Sequence, residues 1–284
     1  MKPSIALGAT VGTGQVYCFG IIEQRDRSYC FRSIQSKLNA LMVEHDHYPK
    51  LTVKQGDIFD YQTIIKVADT LGKKIVFVDE IYVYGHQVAK GDESHPHQPH
   101  TKKDKIRVEF GKLIFSSKWR RAEALIVRLA YYYGPTSQDS YLQPTLEGRA
   151  ANKITIFIGN LKTPREYVYL PDATRMIVDI AVEDDSYGEN WNIPGSELIS
   201  GKEIIKIARQ ITGSRKLIIP LTKNAIRFIG LFDLFMREIV EIMYLTKEGF
   251  ILSGEKYEKR IGIIPKTSFK KGLEETLTRL MRVN

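Results

Sequence analysis

SIALGATVGTG, residues 4–14, joins a short apolar run to a glycine-rich turn. Residues 4–7 predict a buried strand, and residues 15–24 carry an apolar pattern that predicts a buried helix. When strand, glycine turn and helix follow in this order, the backbone N–H groups of the turn can approach a pyrophosphate closely. The stretch therefore predicts the first unit of a nucleotide-binding parallel sheet.

The glycine-rich turn departs from the regular GxxGxxG spacing. Its middle position is Val11, and the glycine stands at position 12 instead. A glycine-rich turn that binds no ligand therefore stays open as an alternative. If the turn binds a dinucleotide, the residues expected to contact it are Gly8, Thr10, Gly12, Thr13 and Gly14.

Strand and helix patterns alternate through the first half of the chain. The predicted strands are residues 28–33, 51–54, 74–78 and 124–129, and the predicted helices are residues 61–71 and 103–117. Such alternation predicts an α/β fold, with a parallel sheet covered by helices on both faces. The helix at 103–117 is expected to pack through Ile106, Phe110, Leu113 and Ile114.

The pattern changes after Tyr133-Gly134-Pro135, where a longer irregular stretch begins. Beyond it we predict strands at residues 154–158 and 190–193 and helices at residues 172–182, 200–212, 222–245 and 267–282. We expect a nucleotide-binding domain over residues 1–134, to which residues 168–193 return. Residues 135–167 and 194–284 are expected to form a smaller cap.

Composition and charge narrow the class of protein. The 284 residues, 43% of them hydrophobic and 26% charged, have the profile of a folded soluble protein with a large core. The only cysteines, Cys18 and Cys30, exclude a disulfide framework and a four-cysteine zinc site and favour a reducing compartment. No N-terminal stretch has the pattern of a secretory signal, so we expect a cytoplasmic protein. The net charge of +9 does not decide between nucleic acid, an acidic membrane surface and an anionic small molecule.

Arg32 ends the second predicted strand, eighteen residues after Gly14. Sites that prefer NAD carry an acidic residue near this place, where it holds the adenosine ribose hydroxyls. A guanidinium suits a 2′-phosphate, so we expect NADP in preference to NAD, with an exposed strand-end arginine as the alternative. Asp57, after the third strand, is a candidate for binding the adenine amino group, with a structural turn aspartate as the alternative.

Six short motifs, spread over nearly the whole chain, resemble those of a known family. They are Gly8-Ala9-Thr10, Gly56-Asp57-Ile58-Phe59-Asp60, Val83-Tyr84-Gly85, Tyr133-Gly134-Pro135, Tyr167-Val168-Tyr169-Leu170-Pro171-Asp172 and Trp191-Asn192-Ile193-Pro194-Gly195. In this order they resemble the extended short-chain dehydrogenases/reductases, the NAD-dependent epimerase/dehydratase family. The resemblance implies a Rossmann-like parallel sheet, a small C-terminal substrate-binding domain, a nucleotide-sugar or other carbonyl or alcohol substrate, and a homodimer.

The residues that correspond to the family's catalytic centre are altered. The resemblance implies a Ser/Thr and a Tyr-x-x-x-Lys arrangement, in which the lysine holds the nicotinamide ribose and lowers the pKa of the tyrosine. Lys105 matches the lysine, but Thr101 stands at the tyrosine position and Glu80 at the Ser/Thr position. If chemistry persists, the proton must come from another group, and we nominate Tyr84, Tyr133 and Glu80. The alternative is that these residues pack or lie exposed in a site that binds nucleotide without turnover.

The connection between the third and fourth predicted strands is short. Only fourteen residues, 61–74, separate Asp60 from Ile75, which leaves room for one helix and a turn. The family resemblance implies a further strand and helix here. Either the next strand lies directly beside the first strand, or the gene is a truncated relative.

Two charged segments suggest other kinds of site. The run His95-Pro96-His97-Gln98-Pro99-His100 suggests a metal site, but its prolines favour an extended, exposed loop. A basic stripe could touch nucleic acid, although a solvated helix face is the alternative and no stacking aromatics are interleaved with it. Its members are Lys102, Lys103, Lys105, Arg107 and Lys112.

We therefore expect an NAD(P)-dependent oxidoreductase or epimerase/dehydratase. Lys105 would hold the nicotinamide ribose, and Tyr84 or Tyr133 would face the transferred hydride. The alternative is a non-catalytic NAD(P)-binding sensor or regulator that has lost the catalytic tyrosine and serine. The expected partners are a small-molecule substrate and a second copy of the chain, with no nucleic acid, no membrane and no metal.

Overall fold

The computed structural model describes residues 4–8, 28–32, 51–55, 61–85, 90–137, 140–221, 227 and 250–283. For the three N-terminal strands it describes the backbone. Most of the glycine-rich turn, namely Thr10, Gly12, Thr13 and Gly14, lies outside the described residues, as do Asp57 and the predicted helices at 15–24 and 222–245.

Over residues 51–129 the described chain alternates between strands and helices, as predicted, apart from the two-residue strand at 90–91. The strands are β1 (Ser4–Gly8), β2 (Ser28–Arg32), β3 (Leu51–Gln55), β4 (Lys74–Glu80), β5 (Lys90–Gly91), β6 (Glu123–Leu129), β7 (Tyr131–Tyr133), β8 (Thr155–Ile158), β9 (Pro164–Tyr169), β10 (Asn190–Ile193), β11 (Glu197–Ser200), β12 (Ile218–Leu221) and β13 (Ile251–Leu252). The helices are α1 (Tyr61–Leu71), α2 (Lys102–Ile114), α3 (Gln143–Ala150), α4 (Leu170–Val182), α5 (Gly201–Thr212), α6 (Glu255–Arg260) and α7 (Phe269–Val283).

The central sheet has the strand order β1-β4-β6-β10, and all three pairings are parallel. On the other side of β1 lies β2, which pairs in parallel with β3. The predicted α/β fold with a parallel sheet is confirmed.

The short connection after β3 is accommodated by the strand order. β4 pairs directly with β1, from Ser4 opposite Lys74 to Gly8 opposite Val78. The next strand of the chain therefore lies beside the first strand, which is the first of the two arrangements that the sequence left open. As a result, the side chains that follow β4 lie next to the carboxyl end of β1.

Helices cover both faces of the central sheet. Along β4 the side chains alternate, so that Ile75 and Phe77 pack with α1 and α2, while Val76 and Val78 pack with α4. Every residue from Lys74 to Asp79 is buried, as expected of a strand covered on both sides.

Helix α2 presents a different face to the sheet from the one that its apolar residues predict. Phe110 and Ile114 are buried as expected, but Ile106 is 49% exposed. Asp104 and Arg107 take the inward positions of the first turns. The prediction that Ile106 belongs to the buried stripe was wrong, because a buried ion pair made by Arg107 sets the rotation of this helix.

Three smaller sheets accompany the central one. β7 pairs in parallel with β9, which pairs antiparallel with β11, while β8 pairs with β12 and β5 with β13. A separate apolar cluster joins this region to α3, α5 and α7, with Leu146, Ile204 and Leu273 fully buried. No helix in the described ranges is both long enough and apolar enough to cross a bilayer.

Candidate functional site

Three of the predicted site residues stand at the carboxyl ends of described strands. Gly8 ends β1 and Arg32 ends β2, while Glu80 ends the neighbouring β4. The order along the chain reverses between β1 and β4, and ligands of open α/β sheets bind in the crevice outside such a point. Because β1 and β4 pair in parallel, Gly8 and Glu80 lie at the same edge, and Arg32 ends a strand that contacts β1.

A tight turn follows β4 and needs glycine at its end. Residues Ile81–Tyr84 form one turn of 3₁₀ helix whose four side chains are all buried. Gly85 then adopts a φ of +67°, and a Cβ there would lie 1.8 Å from the carbonyl oxygen of Gln98. The Val83-Tyr84-Gly85 motif thus packs the strand end tightly against the histidine-containing segment.

A recess opens at the ends of β4 and β6 and is largely lined by aromatic and polar side chains. Its lining consists of Glu80, Ile81, Leu129, Ala130, Tyr131, Tyr132, Ser140 and Tyr141. The hydroxyl of Tyr141, which lines this recess, lies 2.9 Å from the Tyr82 hydroxyl, and the charge of Glu80 acts on both phenols. Of the nominated catalytic residues, Glu80 is the one that lines this recess.

The phenols around Glu80 all ionise with difficulty. Burial, followed by the charge of Glu80, raises the pKa of Tyr82 well above its usual value, and the same two causes raise the pKa of Tyr141. Burial also raises the pKa of Tyr131, against the influence of the nearby Arg165 guanidinium. These hydroxyls are therefore protonated at neutral pH and can act as hydrogen-bond donors.

Tyr84 is fully buried and is not among the residues that line the recess. Its hydroxyl donates a 2.8 Å hydrogen bond to Oδ1 of Asn192, and its ring stacks on Phe250 at 4.9 Å between centroids. The Arg128 guanidinium lies 5.6 Å from the ring centroid. Because the hydroxyl is occupied by a buried amide, Tyr84 serves chiefly to join the 3₁₀ turn to β10.

Asp79 balances two buried cations beside Glu80. Its Oδ1 lies 3.1 Å from Nη1 of Arg107, and its Oδ2 lies 3.6 Å from Nε of Arg128. All three side chains are almost wholly buried. The cluster fixes α2 and β6 against the end of β4 and carries a net charge of +1.

Tyr133, the other nominated phenol, is directed into the C-terminal core. Its ring stacks on Phe269 with centroids 4.5 Å apart, and a Cβ on Gly272 would lie 2.4 Å from its hydroxyl oxygen. Burial raises the pKa of this tyrosine. The structure does not bring Tyr133 together with Glu80 at the recess, because α7 covers the hydroxyl.

Thr101 and Lys105 lie at the start of α2, in two different environments. The Thr101 hydroxyl accepts a hydrogen bond from the Asp104 N–H, and the Asp104 carboxylate accepts one from the Thr101 N–H, which together form a capping box. Lys105 is exposed. Thr101 therefore has a structural role as a helix cap, which the sequence comparison with Tyr-x-x-x-Lys did not indicate.

Arg165 is a charged residue near the recess that the sequence did not single out. It lies on β9, is 3% exposed and faces the ring of Phe157 at 5.5 Å, and its charge acts on both Tyr131 and Tyr167. Its Nε and Nη2 atoms are buried, and no described residue makes a hydrogen bond to them by geometric criteria. A buried guanidinium with unpaired N–H groups can bind an anion, but nothing in the strand pattern of residues 164–169 distinguishes it from an exposed residue.

The histidine run contacts Tyr84, whereas the basic stripe lies on α2. His95 and His97 both contact the ring of Tyr84 edge-on, with centroids 6.0 Å away. Burial lowers the pKa of His97. Within the described ranges, no three His, Cys, Asp or Glu side chains form a group that could hold a metal ion. The basic stripe is interrupted, because Arg107 points inward to Asp79.

Solved structures share this fold over most of its length. UDP-glucuronic acid 4-epimerase from Bacillus cereus, in complex with UDP-glucuronic acid and NAD, matches with a TM-score of 0.70 and 15% identity over 91% of this chain and 92% of that one. A dTDP-glucose 4,6-dehydratase double mutant from Streptomyces venezuelae matches with a TM-score of 0.68 and 19% identity, over 89% and 87% of the two chains. UDP-glucose 4-epimerase from Thermotoga maritima matches with a TM-score of 0.64 and 18% identity, over 90% and 77%.

No family model and no curated protein sequence matches the chain. The likeness is therefore one of structure, and it confirms the Rossmann-like fold that the six motifs imply. The chain has the fold of NAD-dependent nucleotide-sugar epimerases and dehydratases.

Proposed function

We propose that this chain binds NAD(P) and acts on a nucleotide sugar, or another alcohol or carbonyl compound, as an oxidoreductase of the epimerase/dehydratase type. One combination of observations carries the proposal. The fold matches, over about nine tenths of both chains, an epimerase whose structure contains NAD and a UDP-sugar. In this chain, Glu80 and three tyrosines line a recess at the carboxyl edge of the corresponding type of sheet.

The described residues at this edge fit a dinucleotide. β1 and β2 are in contact, so a ligand that crosses the glycine turn after Gly8 lies near the strand that Arg32 ends. On the other side, the charge of Asp79 is more than balanced by two guanidiniums and does not repel a pyrophosphate. When bound, NAD(P) would supply the hydride acceptor and donor.

Within this proposal the chain's own residues have distinct roles. The glycine turn that includes Gly8, Thr10, Gly12, Thr13 and Gly14 binds pyrophosphate, and Asp57 and Arg32 bind the adenosine half. Arg32 favours NADP. Lys105, exposed in the first turn of α2, reaches the nicotinamide ribose, and residues 135–167 and 194–284 form the substrate side. Glu80 takes part in proton transfer.

A second copy of the chain and a reducing, cytoplasmic location also belong to the proposal. Ile106 is 49% and Phe115 is 36% exposed on α2, which gives this helix apolar surface for a two-fold contact. Sizing with light scattering should report twice the chain mass at micromolar concentration. A single-chain mass throughout that range would remove the dimer and leave the cofactor proposal unaffected.

A non-catalytic NAD(P)-binding regulator is the second candidate. It is favoured by Thr101, whose hydroxyl is engaged as the cap of α2 at the position where the family resemblance implies a tyrosine. Both candidates bind the dinucleotide, and they differ only in turnover.

The deciding experiment measures binding first and turnover second. NADPH or NADH at a hundredfold excess over its Kd should stabilise the folded protein by about 2.7 kcal/mol and raise its Tm. No shift with either dinucleotide at millimolar concentration would remove both candidates. If binding is seen, absorbance at the nicotinamide band is followed with a panel of UDP- and dTDP-sugars, and a change identifies an enzyme.

Lys105→Ala tests the ribose contact, with Lys112→Ala as the matched control on the same helix. Lys112 is also exposed and pairs with Glu109 at 2.7 Å. Lys105→Ala should weaken dinucleotide binding roughly tenfold to hundredfold, since the hydrogen bonds of a charged group contribute about 1.5–3 kcal/mol. Equal affinities in the two variants would remove Lys105 from the site.

A further inference from the structure

The two-stranded ribbon formed by β8 and β12 has an apolar face that is exposed at its amino end. Ile218 pairs with Thr155, and the Thr155 N–H donates a 3.1 Å hydrogen bond to the carbonyl oxygen of Leu217. The residues that precede this pair, Leu217 and Ile154, therefore lie side by side, and the alternation of side chains along a strand puts Ile219 on the same face. Ile154 is 64%, Leu217 63% and Ile219 44% exposed.

The opposite face of the ribbon packs on the C-terminal core. The Thr155 hydroxyl donates a 2.7 Å hydrogen bond to the carbonyl oxygen of Pro144 in α3, and Phe157 is buried in the apolar cluster of this region. Further along the outer face, Leu221 and Ile158 are buried as well. The exposed aliphatic side chains are thus confined to one end of one face, and a contiguous apolar patch of this kind indicates an interaction surface.

Positive charge accompanies the apolar side chains at this end of the ribbon. Lys153, Arg215 and Lys216 directly precede them along the chain, and all three are exposed. The segments that contain the two strands, residues 148–165 and 204–221, include no aspartate or glutamate. We call this surface the ribbon tip, and it consists of Lys153, Ile154, Arg215, Lys216, Leu217 and Ile219. The ribbon tip therefore combines aliphatic side chains with uncompensated positive charge.

Buried polar contacts hold the two loops of the ribbon tip together. The guanidinium of Arg149, a fully buried residue of α3, donates hydrogen bonds to the carbonyl oxygens of Lys153, at 3.0 Å, and Ser214, at 3.4 Å. The Ser214 hydroxyl donates a 2.9 Å hydrogen bond to Oδ1 of Asn152. Because the loops before β8 and β12 are tied to each other and to α3, their cations and apolar side chains form one surface.

We propose that the ribbon tip binds the surface of a bilayer that contains anionic phospholipids. Ile154, Leu217 and Ile219 enter the boundary between headgroups and acyl chains, while the neighbouring cations contact the negatively charged headgroups. The inference goes beyond the proposed function and does not depend on it. It also departs from the sequence-based expectation of no membrane partner, because the ribbon tip forms only when the pairing of β8 with β12 brings two distant segments together.

The chemistry of the ribbon tip favours a bilayer over a nucleic acid or a second copy of the chain. Its six residues include no aromatic side chain, so bases would have no ring on which to stack, and the aliphatic side chains would remain in water. A two-fold contact between copies would bring the same cations against one another, which is repulsive. An anionic bilayer matches both the apolar and the charged part of the surface.

Sedimentation of the full chain with vesicles tests the charge. The chain should sediment with phosphatidylcholine vesicles that contain about 30% phosphatidylserine, and not with phosphatidylcholine alone. Binding should weaken as NaCl rises from about 0.1 to about 1 M, because the Debye length falls from about 10 to about 3 Å. Lys216→Gln and Arg215→Gln should each lower the partition coefficient about fivefold, since one cation near an anionic membrane contributes about 1 kcal/mol. Lys259→Gln is the matched control, because it removes an exposed lysine of α6 and should leave binding unchanged.

Leu217→Trp tests whether the apolar side chains enter the bilayer. On the anionic vesicles its fluorescence should shift to shorter wavelength and be quenched by brominated phospholipids, measured against the emission of Trp119 and Trp191 in the native chain. Ile263→Trp is the matched control, since Ile263 is 94% exposed and lies outside the ribbon tip, and it should show neither effect. Leu217→Ser should weaken vesicle binding and leave Tm unchanged, because the Leu217 side chain is largely exposed in the native chain.

Four results would overturn the lipid proposal. They are equal or absent sedimentation with the two vesicle compositions, equal losses in Lys216→Gln and Lys259→Gln, binding of an RNA oligonucleotide in place of vesicles, and a lower oligomer mass or Tm in Leu217→Ser. The last result would mean that a second copy, or the chain itself, covers the apolar face. Titration of the ribbon-tip variants with NADPH and NADH should give native affinities, so failure of the lipid proposal leaves the proposed function unaffected.

Discussion

The carboxylate of Asp79 and the guanidinium of Arg107 lie 3.1 Å apart, Oδ1 to Nη1, with both side chains almost completely buried. This ion pair joins the end of β4 to the face of α2 that packs on it. Because Glu80 follows Asp79 directly, the same pair also fixes the backbone from which Glu80 enters the recess. The stability of the fold and the geometry of the candidate site therefore depend on one contact.

Asp79→Ala should be strongly destabilising. It leaves the guanidiniums of Arg107 and Arg128 buried without their carboxylate, and removal of one partner of a buried ion pair costs about 3–5 kcal/mol. Urea unfolding measures the change. Glu109→Ala, which removes an exposed carboxylate paired with Lys112 on the same helix, should change the free energy of unfolding by less than about 1 kcal/mol. Equal effects of the two substitutions would contradict the role given to Asp79.

Thr101→Ala should lower the free energy of unfolding by about 1 kcal/mol. The substitution removes the hydroxyl that accepts the Asp104 N–H and so breaks one half of the capping box. Thr101→Ser keeps that hydroxyl and should retain most of the stability. If Thr101→Ala left stability unchanged but abolished a turnover that Thr101→Ser retained, the hydroxyl would act in chemistry and the cap would be incidental.

The sequence predicts the sheet of this protein better than it predicts the site. The run from Lys74 to Val78 reads as a strand because burial on both faces requires continuous apolar side chains, and β4 extends over it. The inward face of α2 was not predictable in the same way. Arg107 points inward because it forms an ion pair with Asp79, which lies on β4. Hydrophobic periodicity within the helix contains no information about such a pair.

The tyrosines show the same limit. Tyr84 and Tyr133 occur in recognisable motifs, but both are buried by long-range packing, against Phe250 and Phe269 respectively. Tyr141, which lines the recess, lies in an irregular stretch without periodicity, so no local pattern indicates it. Short motifs identify the strand ends that form the site, whereas tertiary packing decides which hydroxyls reach it.

Arg32→Ala should weaken NADPH binding more than NADH binding. Arg32 is the last residue of β2, which contacts β1, and under the proposed function the 2′-phosphate of NADPH would lie there. Loss of a charge-assisted contact of about 1.5–3 kcal/mol corresponds to roughly a tenfold to hundredfold loss of affinity. Isothermal titration with both dinucleotides measures the difference, and NADH serves as the internal control. Equal weakening of both would show that Arg32 does not bind the 2′-phosphate.

The pH dependence of stability should contain a contribution from Glu166, a carboxyl group on β9 that is 6% exposed. Burial raises its pKa to about 7, although the backbone N–H of Leu252 donates a hydrogen bond to it. In the unfolded chain the pKa of a glutamate is near its ordinary value of 4.5. The folded state therefore binds this proton more tightly, and the corresponding stability is complete below about pH 4.5 and lost as the pH rises to about 7.

Glu166→Gln should remove this contribution, because the amide is neutral at every pH and its oxygen can still accept the 2.9 Å hydrogen bond from the Leu252 N–H. A difference of this size between the folded and unfolded pKa corresponds to about 3 kcal/mol, so the variant should be more stable relative to the native chain at pH 8 than at pH 5. Urea unfolding at pH 5, 6, 7 and 8 measures it. Glu203→Gln is a control of opposite sign. The hydroxyl and N–H of Ser200 lower the pKa of the exposed Glu203 carboxylate, so the stability that this carboxylate contributes is lost as the pH falls. If the free energies of unfolding of the native chain and of Glu166→Gln changed in parallel between pH 5 and 8, Glu166 would not take up a proton in this range.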